Sequence, residues 1–301
     1  MIRIISFNIN GLRARPHQLE ELKKKYDPDI IALQEIKVSD EDFPADIPEN
    51  LGYRFYNYGQ KGFHGVAIFS KQEPINVMKG LNGGEDESQK RYIQCDYETN
   101  GGIVSICNSY FPQGENRKHP DKFPYKDRYY QRITKHMESL STEIVLTGDF
   151  NIAPHRNDIG MNEDGIKRWL REGHTAFLPE ELEWYQILTK TGLEDVWRSN
   201  NPDSTKCSWF DYRSRGFDQD PKRGLRIDHL WVTTPLLNLA RESDIDYEIR
   251  GMEKPSDHAP VWTPLSVGNH FSIRGETSSP ALALQGSSQH LFRMLSRIGK
   301  L

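Results

Sequence analysis

The stretch Ile144-Val145-Leu146-Thr147-Gly148-Asp149-Phe150-Asn151-Ile152-Ala153-Pro154 does most to limit what this chain can fold into. Its first four residues form a short apolar, β-branched run, the pattern of a strand buried on both faces. Gly148 lets the backbone bend, and Pro154 forbids continuation into a central strand. Between them stand Asp149 and Asn151, which share a face if the chain is still extended there. A carboxylate and an amide at the carboxyl end of a core strand can hold a metal, a water or a phosphoryl oxygen. Asp and Asn are also favoured loop residues, so this stretch alone reads equally well as a plain strand end.

The same design recurs along the chain. Met1 to Asn10 is an apolar strand ending in Asn8 and Asn10, and Asp29 to Glu35 is another, ending in Gln34 and Glu35. Gly65 to Ser70 reads as a strand. Tyr92 to Tyr97 and Ile103 to Tyr110 alternate like a hairpin turned at Asn100-Gly101-Gly102. Ile227 to Val232 and His258 to Pro264 complete the set of core strands. Helices are expected over Gln18 to Tyr26, Lys126 to Leu140, Gly165 to Arg171 and Pro179 to Thr191, the last with Gly192 just past its end. Ser208 to Arg226 reads as a loop dense in aromatics and arginines.

Six strand ends therefore carry polar groups: Asn8, Glu35, Tyr110, Asp149 with Asn151, Asp228, and Asp257 with His258. In α/β sheets the carboxyl ends of adjacent strands form the crevice where chemistry is placed. Carboxylates and amides with one imidazole and no thiolate make a hard-cation environment, suited to magnesium or manganese rather than zinc. No phosphate-binding Gly-x-x-x-x-Gly-Lys-Ser/Thr loop and no dinucleotide fingerprint occurs in the 301 residues, which argues against nucleotide-dependent transfer.

Composition narrows the setting. A hydrophobic content of 36% and a mean hydropathy of −0.73 predict a core with long polar loops. No apolar run is long enough to span a membrane, and Arg3 and Asn8 interrupt any signal peptide. Cys95, Cys107 and Cys207 lack metal spacing and fit reduced thiols in a cytoplasmic protein. The net charge of −4 neither advertises nor excludes nucleic acid, because an acidic metal site and a basic rim can coexist.

Ser6-Phe7-Asn8-Ile9-Asn10-Gly11-Leu12, Leu33-Gln34-Glu35, Tyr110-Phe111-Pro112-Gln113-Gly114, Gly148-Asp149-Phe150-Asn151, Arg226-Ile227-Asp228 and Ser256-Asp257-His258-Ala259-Pro260-Val261 resemble the signatures of the endonuclease/exonuclease/phosphatase superfamily. Trp209-Phe210-Asp211-Tyr212-Arg213-Ser214 and Lys167-Arg168-Trp169-Leu170 are similar to its exonuclease III branch. The resemblance runs from Met1 to about Leu265, so residues 1–265 are expected to form one catalytic domain and 266–301 a flexible extension of unknown role. It implies an α/β fold of the DNase I-like kind: a two-sheet β-sandwich flanked by helices, in four layers, with the site at one end of the sheets. The implied activity is magnesium-dependent cleavage of duplex DNA at abasic sites, 3′-to-5′ nucleotide removal and clearing of blocked 3′ ends, with manganese as a substitute ion and the protein acting as a monomer.

The resemblance also carries roles. Glu35 resembles the principal metal ligand, with Asn8 and Asp257 nearby, and Asp149, Asn151 and His258 belong to the same metal set. Asp149 resembles the residue that orients or deprotonates water, Asn151 the donor that holds it, and His258 the imidazole that binds the scissile phosphate. Consecutive residues on a strand face opposite ways, so Asp228 rather than Asp257 is the expected partner of His258. Tyr110 could assist the leaving oxygen through its hydroxyl. Either Asp149 or His258 could be the base. Lys61, Arg91, Arg117, Lys118, Lys122, Arg213, Arg215, Arg223 and Arg226 lie in loops that flank the motif strands and suit phosphates, Gln113 is expected to bind substrate with them, and Trp209 and Phe210 are expected to line a pocket for the base-less sugar. Ile36 departs from the threonine common in the family. The competing readings are a superfamily phosphatase for inositol or lipid phosphates and a catalytically dead binding module.

Overall fold

The computed structural model describes residues 1–81 and 89–265. The first sheet is built from β1 (Ile2–Asn8), β2 (Ile30–Gln34), β3 (Arg54–Tyr58) and β4 (Val66–Ser70). The second takes β5 (Asn76–Lys79), β6 (Tyr92–Thr99), β7 (Gly102–Tyr110), β8 (Glu143–Asp149), β9 (Leu193–Asp195) and β10 (Asp228–Thr233). The chain then returns to the first sheet with β11 (Asp244–Ile245) and β12 (Val261–Leu265). The strand orders are β11-β12-β1-β2-β4-β3 and β5-β6-β7-β8-β10-β9, six strands each. β1 pairs in parallel with β2, and β7 with β8; the other neighbours are antiparallel.

Side-chain alternation explains the layers. In β1, Ile4 joins Ile30, Ile68, Ile106, Val145 and Leu230 in the core between the sheets. Its neighbour Ile5, with Phe7, Ile31 and Leu33, faces the other way onto Leu19 and Leu22 of helix α1 (Pro16–Tyr26). After the short α2 (Asp46–Asn50), the long α3 (Lys122–Ser139) covers the outer face of the second sheet. Its Tyr130, Ile133 and Met137 pack against Cys107, Leu146 and Trp231. α4 (Glu163–Glu172) and α5 (Pro179–Thr189) follow β8, and Leu188 of α5 joins that outer core. The result is helix, sheet, sheet, helix: the four-layer α/β sandwich that the sequence implied.

The expected core strands are all present, but four others were not anticipated: β3, β5, β9 and β11. These are the four edges of the two sheets. An edge strand buries less and pairs on one side only, so its sequence carries little of the apolar run or strict alternation that marks a core strand. Two boundaries also move. Asp228 is the first residue of β10, and the last strand starts at Val261, which leaves Ser256 to Pro260 in a loop ahead of it. The extension expected over 266–301 lies outside the described residues.

Gly148 explains how β8 can end as it does. Its φ is +140°, and a Cβ built there would sit 1.9 Å from the carbonyl oxygen of Ser109 on the parallel neighbour β7. Only glycine permits that approach. Gly148→Ala should therefore lose about 3–5 kcal/mol, the range of severe single-residue strain. Urea denaturation measures it, and a midpoint equal to that of the parent would contradict the assignment.

Candidate active site

Both sheets deliver their central strand ends to one place. Asn8 closes β1 and Glu35 follows β2 in the first sheet; Tyr110 closes β7, Asp149 closes β8 and Asp228 opens the antiparallel β10 in the second. Tight left-handed turns just past these ends aim the side chains. Asn10 (φ 47°), Glu35 (φ 51°) and Asn151 (φ 54°) are non-glycine residues with positive φ, a conformation that persists only when neighbours enforce it. Asn151 is thus not on an extended continuation of β8. Its backbone N–H turns back to donate to Asp149 Oδ1 (3.0 Å), and its side-chain Nδ2 donates to the Phe111 carbonyl (3.0 Å).

Glu35, Asp149 and His258 each offer one ligand atom within 4.8 Å of the others, the one such group among the described residues. Asn8, fully buried, ties the two carboxylates together: its Nδ2 donates to Glu35 Oε1 (2.9 Å) and to Asp149 Oδ2 (2.9 Å). His258 Nε2 lies 3.8 Å from Asp149 Oδ2. On its far side His258 Nδ1 donates to Asp228 Oδ2 (2.8 Å), which fixes the ring orientation and leaves Nε2 aimed at the carboxylates. Two acidic groups and an imidazole converging on one point, with a buried amide between them, suit a hard divalent cation.

Electrostatics agree with that geometry. Burial pushes the Asp149 carboxyl up, assisted by the nearby charges of Asp228 and Glu35 and opposed by His258. Burial would lower the imidazole of His258, but Asp228, through charge and hydrogen bond, holds it well above the usual histidine range. Glu35 is also desolvated, yet Lys37 and the Asn8 amide bring it below its ordinary value. Lys37 Nζ sits 2.9 Å from Glu35 Oε2. Burial drives the Tyr110 phenol far upward, so it enters any reaction as a neutral hydroxyl donor.

Other expected residues take different places. Asp257 is outside the three-residue group; its Oδ1 accepts from Asn10 Nδ2 (2.8 Å) and its Oδ2 from the Trp209 indole N–H (3.0 Å). Arg91 does not face solvent: it is buried, its guanidinium lies 4.6 Å over the Tyr110 ring, and Nη1 donates to the Tyr110 carbonyl. Arg226 is fully buried and is held by Asp158 and Asp195, so it cannot reach a phosphate. Phe210 is fully buried too, packed edge-on against Phe217 and Tyr247. Its backbone pairs with Asp257, and Trp209 bridges to His258, so the two aromatics diverge. Trp209 stays half-exposed beside the site, and Lys61, Gln113 and Arg213 are exposed in the surrounding loops.

Sequence reasoning missed Lys37, Ser208 and Ser256. Ser208 Oγ donates to Asp228 Oδ2 (2.6 Å), and Ser256 Oγ donates to the Asn8 carbonyl (2.6 Å) while accepting the His258 N–H (3.2 Å). Ser256 stands beside Asp257 and His258, which was the only available signal for it. Lys37 and Ser208 sit in irregular backbone with no periodic pattern.

Fold and site together define the class. Residues 5–258 match the endonuclease/exonuclease/phosphatase family, and the chain belongs to it. Over 265 residues it is 52% identical to exodeoxyribonuclease III of Haemophilus influenzae, a match covering 87% of this chain and 98% of that protein. Among solved structures, a 3′ phosphatase from Neisseria bound to a product DNA hairpin is similar with a TM-score of 0.79 at 34% identity, over 88% of this chain and 99% of the other. An AP endonuclease from Archaeoglobus fulgidus gives a TM-score of 0.81 at 31% identity, over 89% of this chain and 100% of the other.

The divergence of the two aromatics is testable without substrate. Phe210→Ala should behave as a core truncation and lose about 3–5 kcal/mol in chemical denaturation. Trp209→Ala should lose less. A Phe210→Ala loss under about 1 kcal/mol would return Phe210 to a pocket wall.

Proposed function

We propose that the protein is a DNA repair phosphodiesterase of the exodeoxyribonuclease III type. In this reading it incises duplex DNA at abasic sites, removes nucleotides from 3′ ends and clears blocked 3′ ends, with magnesium as its ion and manganese as a substitute. The observation that carries it is the convergence of Glu35, Asp149 and His258, with Asp228 behind the imidazole and Asn8 between the carboxylates. Similarity to nucleases over nearly the whole chain supports the substrate class.

Glu35 and Asp149, oriented by the Asn8 amide, would hold the divalent cation, which when bound neutralises charge on the phosphoryl oxygens. The chain's own residues do the rest. Asp149, ionised beside the bound cation, would accept the proton of the attacking water. Asn151, locked by Phe111 and Asp149, sets the edge along which that water approaches. Nε2 of His258, kept protonated by Asp228, grips a non-bridging oxygen of the scissile phosphate. The neutral Tyr110 hydroxyl, braced by Arg91, donates toward the leaving 3′ oxygen. Trp209 forms the wall against which a base-less sugar rests, a group that extrudes without breaking a base pair. Lys61, Gln113 and Arg213 take backbone phosphates around the rim. In this reading the protein works as a monomer in the cytoplasm. Separately, no described helix is long and apolar enough to cross a membrane.

A gel assay tests this. A duplex with one abasic site should be cut in magnesium, an intact duplex trimmed from its 3′ end, and an inositol phosphate left intact. EDTA should stop both cleavages. Asp149→Asn should lose roughly 10²–10⁴ in turnover, the scale for a positioned base, while binding abasic DNA as well as the parent does. Activity that persists in EDTA, or turnover confined to the inositol phosphate, would overturn the reading.

A further inference from the structure

The turn that carries Asn151 is held from behind by buried side chains on consecutive carbonyls. The Tyr130 hydroxyl donates to the Phe150 carbonyl (2.7 Å), Lys126 Nζ to the Asn151 carbonyl (2.8 Å) and His229 Nε2 to the Ile152 carbonyl (2.9 Å). Lys126 and Tyr130 are four residues apart on α3, so they share one face of the helix. Lys126 is 0% exposed and pairs with the equally buried Glu181. Its other two donors go to Glu181 Oε1 (2.5 Å) and to the Gln113 carbonyl (3.3 Å). Glu181, also fully buried, spends its second oxygen on the backbone N–H groups of Ala176 and Leu178 (2.8 Å each).

Burying an ion pair is a poor way to gain stability, since apolar side chains of similar volume often do as well. What this pair joins is more telling. One ammonium binds the loop just past Tyr110, which carries Gln113, to the turn just past Asp149, which carries Asn151. Glu181 anchors both to the start of α5. We propose that Lys126, neutralised by Glu181, is a positioning residue for the reaction: it fixes the left-handed Asn151 turn, and so the separation between the Asp149–Asn151 edge and Tyr110. It rests on the proposed nuclease reading. Being fully enclosed, Lys126 touches neither DNA nor the reacting atoms, and its effect passes through the backbone it holds. This separates it from the exposed Lys61, whose loss should weaken DNA binding and reduce its salt dependence.

The test is steady-state kinetics on the abasic duplex together with amide hydrogen exchange, for the parent, Lys126→Met and Glu181→Gln. Lys126→Met should lower kcat of the folded protein roughly 10–100-fold, the scale of a small misplacement of catalytic groups, with KM within about threefold of the parent. The Asn151 and Ala153 amides should lose protection while those of β1 and β8 keep theirs. Glu181→Gln, which retains size and an acceptor, should move both readouts the same way by less, and it serves alone if Lys126→Met does not fold. Unchanged kcat with unchanged Asn151 protection would make the pair merely structural and overturn the proposal, as would a loss appearing wholly in KM. If the parent cleaves no DNA, the nuclease reading fails, and the exchange data still decide whether Lys126 holds the turn.

Discussion

One buried amide connects the two halves of this molecule at the point where chemistry is placed. Asn8 ends the central strand of the first sheet, and its Nδ2 reaches a carboxylate on each side: Glu35 from its own sheet and Asp149 from the other. Just beneath it, Gln34 Nε2 donates to Asn108 Oδ1 (2.7 Å), and Asn108 Nδ2 donates to the carbonyls of Leu33 and Ala67 (2.9 Å each). These amides replace apolar contacts at one end of the sandwich, so the sheets meet there through directional bonds. Elsewhere between the sheets the contact is dominated by Ile, Val and Leu, which set spacing but not angle.

Bringing Glu35, Asp149 and Asp228 into one buried region is electrostatically expensive, because like charges in a poorly solvated space raise one another's proton affinity. The fold answers with Lys37 against Glu35 and with His258 between Asp228 and Asp149. A divalent cation bound there would complete that balance and hold the carboxylates ionised. In the proposed reaction negative charge accumulates on oxygens that must be met by fixed positive partners, which the same arrangement would supply.

Much of this could be read from the chain because the signals are local. Apolar runs closed by Asn8, Glu35, Tyr110, Asp149 and Asp228 mark both the strands and the pocket they share. The pairing of His258 with Asp228 followed from the alternation of side chains along a strand, although His258 itself turns out to precede its strand rather than belong to it. What could not be read depends on tertiary packing. Trp209 and Phe210 are identical in kind from the sequence, yet one faces the site and the other the core, because the intervening backbone is pinned by Asp257 and Leu225. Arg91 and Arg226 look like loop cations until buried partners claim them. The Lys126–Glu181 pair joins residues 55 positions apart with no pattern linking them.

The central claim is that strand ends from both sheets form one oxygen-rich site for a divalent ion. Anomalous diffraction from crystals soaked in manganese tests it most directly. A single strong peak should appear between Glu35 and Asp149 and disappear in Glu35→Gln at the same ion concentration. A peak bound elsewhere, or one in this pocket that is indifferent to Glu35, would contradict it.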